Sequence, residues 1–423
     1  MSVEVTKLAS GLTVVTDEMP GINTAAVSVM FGAGSRSETG AEHGLAHLLE
    51  HMAFKGTTRR NAQKIVEEIE EVGGDLNAST SSEQTSYEAR VLGADVPLAL
   101  DILADILTDP TLPDDELKRE KSVILQEIGA AEDSPDDLVY ELAHETGFSG
   151  QPIGRAILGT PASVMALDNG AISGFLGRHY TASNCVVSIS GAVKHREAVN
   201  RSEQLFGGLA VGTAPDLADA TWTGGEVRKV RDLEQAHLVL AFPGQSFGHP
   251  DSLALHVFSN LLGGGMSSRL FQEIREKRGL VYSVHAFHWP FSDTGVFGVY
   301  AGTGEDDLDE LMPVMLDELS AAVRNASEEE LNRAKAQMRM ALEMAREQPA
   351  IRAERVAKQI LMIGRHVPTA EILARLDAIT VADVRRVGQE AISAMPAFAA
   401  IGPVKRLMPF ERISERLGKP LAA

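Results

Sequence analysis

Short runs dense in β-branched and aromatic residues recur along the chain. "LTVVTDE" (12–18), "AAVSVMF" (25–31), "SYEARVL" (86–92) and "CVVSIS" (185–190) lie in the first half. "HLVLAF" (237–242), "GVFGVYAG" (295–302) and "AFAAIG" (397–402) lie in the second. Turn residues bound each run, which predicts strands. Between them apolar residues recur at helical spacing over 97–107, 114–131, 307–323 and 327–346. Strands separated by helices or tight turns predict an α+β or mixed α/β class.

The pattern also repeats at long range. "LPDDELKREKSVILQEI" starts at Leu112 and "ASEEELNRAKAQMRMAL" at Ala326. A constant offset pairs Glu116 with Glu330, Leu117 with Leu331, Arg119 with Arg333 and Lys121 with Lys335. "MFGAGSR" near position 30 has a weaker echo in "AFPGQSF" near 241. Two copies of this length mean duplicated domains, not a solenoid. At 423 residues the chain also exceeds what one core usually serves. The stretch 212–226 lacks periodicity and is rich in Gly, Pro and Thr, so it is expected to link domains 1–211 and 227–423.

The copies differ in chemistry. Glu120 and Glu127 of the first are replaced by Ala334 and Ala341 in the second. The counterpart of residues 47–51 falls near "FSNLLGGG" (258–265), which has neither histidine nor glutamate. This pattern predicts one active and one supporting domain.

In the first copy, "HGLAHLLEH" runs from His43 to His51. On a helix, residues four apart differ by only about 40° in direction. His47 and His51 then project from one face and can share a tetrahedral zinc. Glu50 reaches the same side and can take a proton from water that the metal activates. The order H-x-x-E-H is that of the inverzincins. His43 precedes Gly44 and is expected at the helix terminus, outside the ligand set. A catalytic zinc needs a third protein ligand. Glu120 and Glu127, seven apart beside Val123 and Ile124, share a helix face, and acids there need a partner or a metal. Asp114, Asp115 and Glu116 suit the helix dipole instead. Glu141 and His144 mimic an E-x-x-H site, but no second such pair accompanies them. His285 and His288 sit in a strand-like run and are expected to be structural.

A net charge of −20 disfavours nucleic acid and anionic lipid and suits basic or neutral partners. The single cysteine, Cys185, permits no internal disulfide and is expected to be a buried core thiol. With no signal-peptide pattern and no apolar stretch of about 18–20 residues, a cytoplasmic protein without a membrane span is expected.

Three segments together resemble the M16 metallopeptidases, in particular the processing-peptidase branch. They are "GAGSRSETGAEHGLAHLLEHMAFKGT" (32–57), "LNASTSSEQTSYEARVL" (76–92) and "REKSVILQEI" (119–128). "GRAILGT" (154–160) and "LLGGGMSSRLFQEIREKRGLVYSV" (261–284) extend the match into both halves. The resemblance implies two homologous domains, each a mainly antiparallel sheet flanked by helices, closing like a clam shell. It implies one zinc in the catalytic domain on His47, His51 and Glu127, with Glu120 orienting that set and Glu50 as general base. It gives the second domain Arg275 and Tyr282, the tyrosine stabilising the oxyanion. It implies a peptide bound as an added strand on "LNAST" (76–80), with Asn77 and Ala78 near the scissile bond and Phe54 in the pocket beyond it. Asp137 and Glu141 match the acids that hold a substrate arginine.

The expected activity is zinc-dependent endopeptidase action on unfolded or presequence-like peptides. The alternative is a non-catalytic or co-catalytic partner subunit of an M16 heterodimer, although the intact His47–Glu50–His51 set weighs against a non-catalytic one. The short "GGGMSSR" suggests a monomer or homodimer, with a heterodimer still open. A phosphate loop there would need a lysine and a preceding strand, and it has neither.

Overall fold

The computed structural model describes residues 3–213 and 217–418. Residues 214–216 of the expected linker lie outside the described residues.

In the first half the strands are β1 (Val3–Lys7), β2 (Thr13–Glu18), β3 (Thr24–Phe31), β4 (Asp75–Thr80), β5 (Thr85–Leu92) and β6 (Cys185–Gly191). The helices there are α1 (Leu45–Ala53), α2 (Ala62–Glu70), α3 (Val96–Thr108), α4 (Asp114–Glu132), α5 (Pro135–Gly147), α6 (Pro161–Ala166), α7 (Asn169–His179) and α8 (His195–Phe206). The second half carries β7 (Gly225–Val230), β8 (Ala236–Gly244), β9 (Ser283–Pro290), β10 (Gly295–Thr303) and β11 (Ala397–Gly402). Its helices are α9 (Ser252–Gly263), α10 (Leu308–Asn325), α11 (Glu328–Ala345), α12 (Pro349–Ile363), α13 (Thr369–Ala378), α14 (Val381–Ile392) and α15 (Phe410–Arg416).

The strands form two sheets, ordered β1-β2-β6-β3-β5-β4 and β7-β11-β8-β10-β9. Setting β1 aside, the second order repeats the first strand for strand. Among the described residues, only the β2–β6 and β7–β11 pairs are parallel. The mainly antiparallel sheets and their flanking helices are those expected. Helix detail repeats as well. Lys121 on α4 donates to the carbonyls of Met165 and Leu167 at the end of α6. Its counterpart Lys335 on α11 donates to Asp377 and Ile379 at the end of α13.

Alternation along the strands fills both faces of each sheet. On the first sheet, Val27, Val29 and Phe31 enter a core shared with α1, α3 and α7. Met30, Val15 and Val186 enter another, shared with Val356 and Ala357 of α12. On the second sheet, Leu238, Leu240 and Phe242 face α9, α10 and α14. Val239 and Ala241 face Leu138, Val139, Leu142 and Ala143 of α5. The compact units are therefore not contiguous. One comprises 1–129, 155–218 and 343–367, and the other 130–154, 219–342 and 368–423. The stretch 212–226 separates the two sheets in sequence, yet α5 and α12 each pack on the sheet built by the other half.

The hydrophobic runs locate the central strands within one or two residues. They miss β1, β4, β7 and β9, whose residues are mostly exposed or half-buried and carry no continuous apolar run.

Candidate active site

Helix α1 turns Leu45, Leu48, Leu49 and Met52 into the core of the first unit. This leaves His47, Glu50 and His51 half-buried on the opposite side. The two imidazole rings lie 4.6 Å apart between centroids. Glu127 reaches them from α4, its Oε2 3.6 Å from His47 Nε2 and 3.7 Å from His51 Nε2. These separations are too long for hydrogen bonds. They suit a shared ion, since tetrahedral bonds of about 2.0–2.2 Å put ligand atoms roughly 3.3–3.6 Å apart. Among the described residues, these three form the one group of three or more His, Cys, Asp or Glu side chains so placed.

The donor chemistry fits a zinc ion. Burial, with the neighbouring His51, pushes the His47 imidazole down to about 4, so its ring is neutral near pH 7. His51 is oriented from behind, its Nδ1 2.8 Å from Glu120 Oε2. Lys55 Nζ in turn lies 2.7 Å from Glu120 Oε1. Burial opposes the ionised form of Glu120, but hydrogen bonds from Lys55 and His51 hold its carboxyl below the ordinary range. Glu120 is buried as expected. Glu127 is not, with 40% of its side chain exposed, and the neighbouring Val123 is also exposed. That α4 face is apolar only at Ile124 and its turn neighbours.

Glu50 is poised for proton transfer. Burial pushes its carboxyl above the ordinary range, with Glu127 adding to the rise and Thr80 and His51 opposing it. Thr80 Oγ1, on β4, donates to Glu50 Oε2. Strand β4 is the edge of its sheet. Asn77 is exposed on it and Ala78 half-buried. A cavity of about 390 Å³ opens beside the site, lined by Glu50, His51, Phe54, Ile69, Leu76 and Ala78 among others.

Two contributors, Lys55 and Thr80, escaped the sequence reading. Lys55 follows His51 by four and shares its side of the turn, which is a legible signal in "HMAFK". Thr80 closes "LNAST" and carries no signal of its own.

His43 lies one residue before the N-cap Gly44, and its Nε2 meets the Ala156 carbonyl at 2.9 Å. His144 is half-buried, its Nε2 2.8 Å from the carbonyl of Ile153. The remaining candidates belong to the second unit. Asp137 and Glu141 share α5, where burial and the Asp137 charge push the Glu141 carboxyl up. Arg275 lies in a π-helical turn, Phe271–Glu276, over the Phe271 ring at 4.9 Å. Tyr282 is 66% exposed.

Residues 13–161 match the insulinase model of peptidase family M16, and residues 167–338 match that family's inactive-domain model. A zinc protease of Rickettsia bellii is 40% identical over 94% of this chain and 97% of its own length. The probable mitochondrial-processing peptidase subunit beta of Arabidopsis thaliana is 39% identical, over 97% of this chain and 80% of its own. YmxG, a zinc protease of Bacillus subtilis, is 35% identical over 93% of this chain and 97% of its own. A solved peptidase M16 inactive domain from Pseudomonas fluorescens shares the fold with a TM-score of 0.90, at 22% identity, covering 97% of this chain and all of that one. The chain belongs to peptidase family M16 and is a zinc metalloprotease by class. The inactive-domain match takes in Ala334, which replaces Glu120, and ends before Ala341.

Proposed function

We propose that the chain is a zinc-dependent endopeptidase acting on unfolded or presequence-like peptides, with a preference for basic ones. The observation that carries this is the approach of Glu127 within 3.7 Å of both imidazoles, with Glu50 on the same helix. His47, His51 and Glu127 would hold one zinc in the first unit. The ion supplies Lewis acidity, lowering the pKa of water and polarising a carbonyl.

The chain's own residues supply the rest. Edge strand β4 binds the peptide backbone as a further strand near Asn77 and Ala78. Phe54 and its cavity take the side chain beyond the scissile bond. Glu50, with its raised pKa, takes the proton of the attacking water and returns it to the leaving amine. Glu120, fixed by Lys55, keeps His51 in one tautomer and orientation. Roles for Arg275 and Tyr282 at the oxyanion, and for Asp137 and Glu141 with a substrate arginine, are supported by the family resemblance. Action as a monomer or homodimer belongs to the same proposal.

The test is digestion of a mixture of basic and neutral peptides by the wild type and by Glu50→Gln, read by mass spectrometry. The expected result is cleavage by the wild type and a loss of about 10²–10⁴-fold in Glu50→Gln. Equal cleavage by both would remove Glu50 from the mechanism. No cleavage by either, with zinc bound, would favour a partner-subunit role and call for a second chain.

A further inference from the structure

Helix α1 has nine residues, too few to be stable alone, yet it carries both histidines. Its position must come from tertiary anchors. At its C-terminal side the following loop is tied to α3. There Arg60 meets Asp101 at 2.6 Å and Asp105 at 2.7 Å, and Thr57 donates to Asp105.

The N-terminal side is more unusual. The N-cap is Gly44, in the left-handed region at φ 91°, and it offers no side-chain acceptor. A Cβ there would also meet the Leu158 carbonyl at 2.9 Å and the Gly159 Cα at 3.1 Å, so the chain cannot place Ser, Thr or Asp at this point. The first-turn N–H groups would be orphans. Glu38, six residues earlier, meets them instead. Its Oε2 accepts from the Gly44 N–H at 3.0 Å and its Oε1 from the Ala46 N–H at 2.8 Å. Ala46 immediately precedes His47. Glu38 is only 3% exposed. Its own carbonyl accepts from Arg155 Nη1 at 2.9 Å.

Burying a carboxylate is costly, and a short polar cap elsewhere in this chain does the same task near the surface. Asp168 caps α7 that way. A carboxylate that bridges two N–H groups fixes the direction of the first turn as well as its hydrogen bonds. Burial pushes this carboxyl up to about 8, against the pull of its Ala46 and Gly44 bonds and of Arg155, so its two acceptor oxygens do the holding. We propose that Glu38 is the positioning residue of α1, holding His47 in register with His51 and Glu127. This rests on the metal centre proposed above.

The test compares the wild type, Glu38→Gln, Glu38→Ala and His47→Gln. Zinc affinity is measured by chelator competition, and backbone exchange of the metal-free proteins by hydrogen–deuterium mass spectrometry. Both Glu38 variants are expected to bind zinc about 10–100-fold more weakly. Amides 44–47 should exchange at least about 10-fold faster while β3 and β6 keep their protection. A purely structural residue would lower protection throughout the unit without this local signature, and that result overturns the inference. Unchanged zinc affinity in both Glu38 variants, with binding lost in His47→Gln, overturns it while leaving the metal centre intact. Full zinc binding by His47→Gln would sink the metal centre and this inference with it. If the Glu38 variants do not fold, Arg155→Met releases the Glu38 carbonyl and so loosens the hold of its carboxylate on Gly44 and Ala46. It should weaken zinc by a smaller factor, and no change would overturn the inference.

Discussion

His47 shows how burial prepares a ligand. Its imidazole is held at about 4 from an ordinary 6.5 by desolvation and by His51, so metal binding at neutral pH displaces no proton from it. The same shift has a cost in the metal-free protein. The unfolded chain binds a proton at this histidine below about 6.5 and the folded chain only below about 4. The unfolded state thus holds more protons in that window, and stability falls as pH drops through it. Chelated wild type should lose up to about 3 kcal/mol from this group between pH 6.5 and 4. Urea titrations at stepped pH should show that slope, and His47→Gln should reduce it, leaving the part that other buried histidines such as His288 contribute. The H-x-x-E-H spacing placed Glu50, His47 and His51 on one side of a helix. Nothing local in the sequence announced that Thr80 would donate to Glu50, because that contact spans 30 residues and joins a helix to a strand.

Among the elements, α5 and α12 depart most from a linear picture. Each is amphipathic, and its pattern says that one side will be buried without saying against which sheet. Packing settles it: Leu142 of α5 joins Val239, Ala399 and Ile401 of the second sheet, although it precedes the linker by some 70 residues. Leu142→Ala should therefore cost about 2–4 kcal/mol. Hydrogen exchange should locate the loss in β8 and β11, with β3 and β6 unaffected. Loss in β3 and β6 instead would contradict the assignment of α5 to the second unit. Strand β4 was legible only through family resemblance. Its Asp, Asn, Ser and Thr residues fit an edge that is solvated on one side, and such an edge is available for peptide pairing.

At the scale of the whole molecule, the charge of −20 sets the long-range field. Such a field speeds encounter with cationic peptides and is screened by salt. kcat/KM for a lysine- and arginine-rich peptide should fall several-fold between 50 and 500 mM NaCl, with a neutral peptide nearly unchanged. Equal salt dependence for both would argue that specificity comes from pockets alone. The duplication also acts at this scale. Strand order, helix order and the Lys121 and Lys335 contacts repeat, while only the first unit keeps the glutamates of the site.

The sequence alone determined what depends on local periodicity. The central strands declare themselves by continuous apolar runs, because both faces of each sheet are covered. The long helices follow from their 3.6-residue pattern, and the histidine pair from its spacing of four. Tertiary structure decided what depends on closing long loops. It brought Glu127, 76 residues beyond His51, to its place between the two imidazoles. It also set Lys55 on Glu120 and assigned α5 and α12 to their sheets. In each case the partner lies outside the span over which hydrophobic periodicity carries information, and only packing selects it.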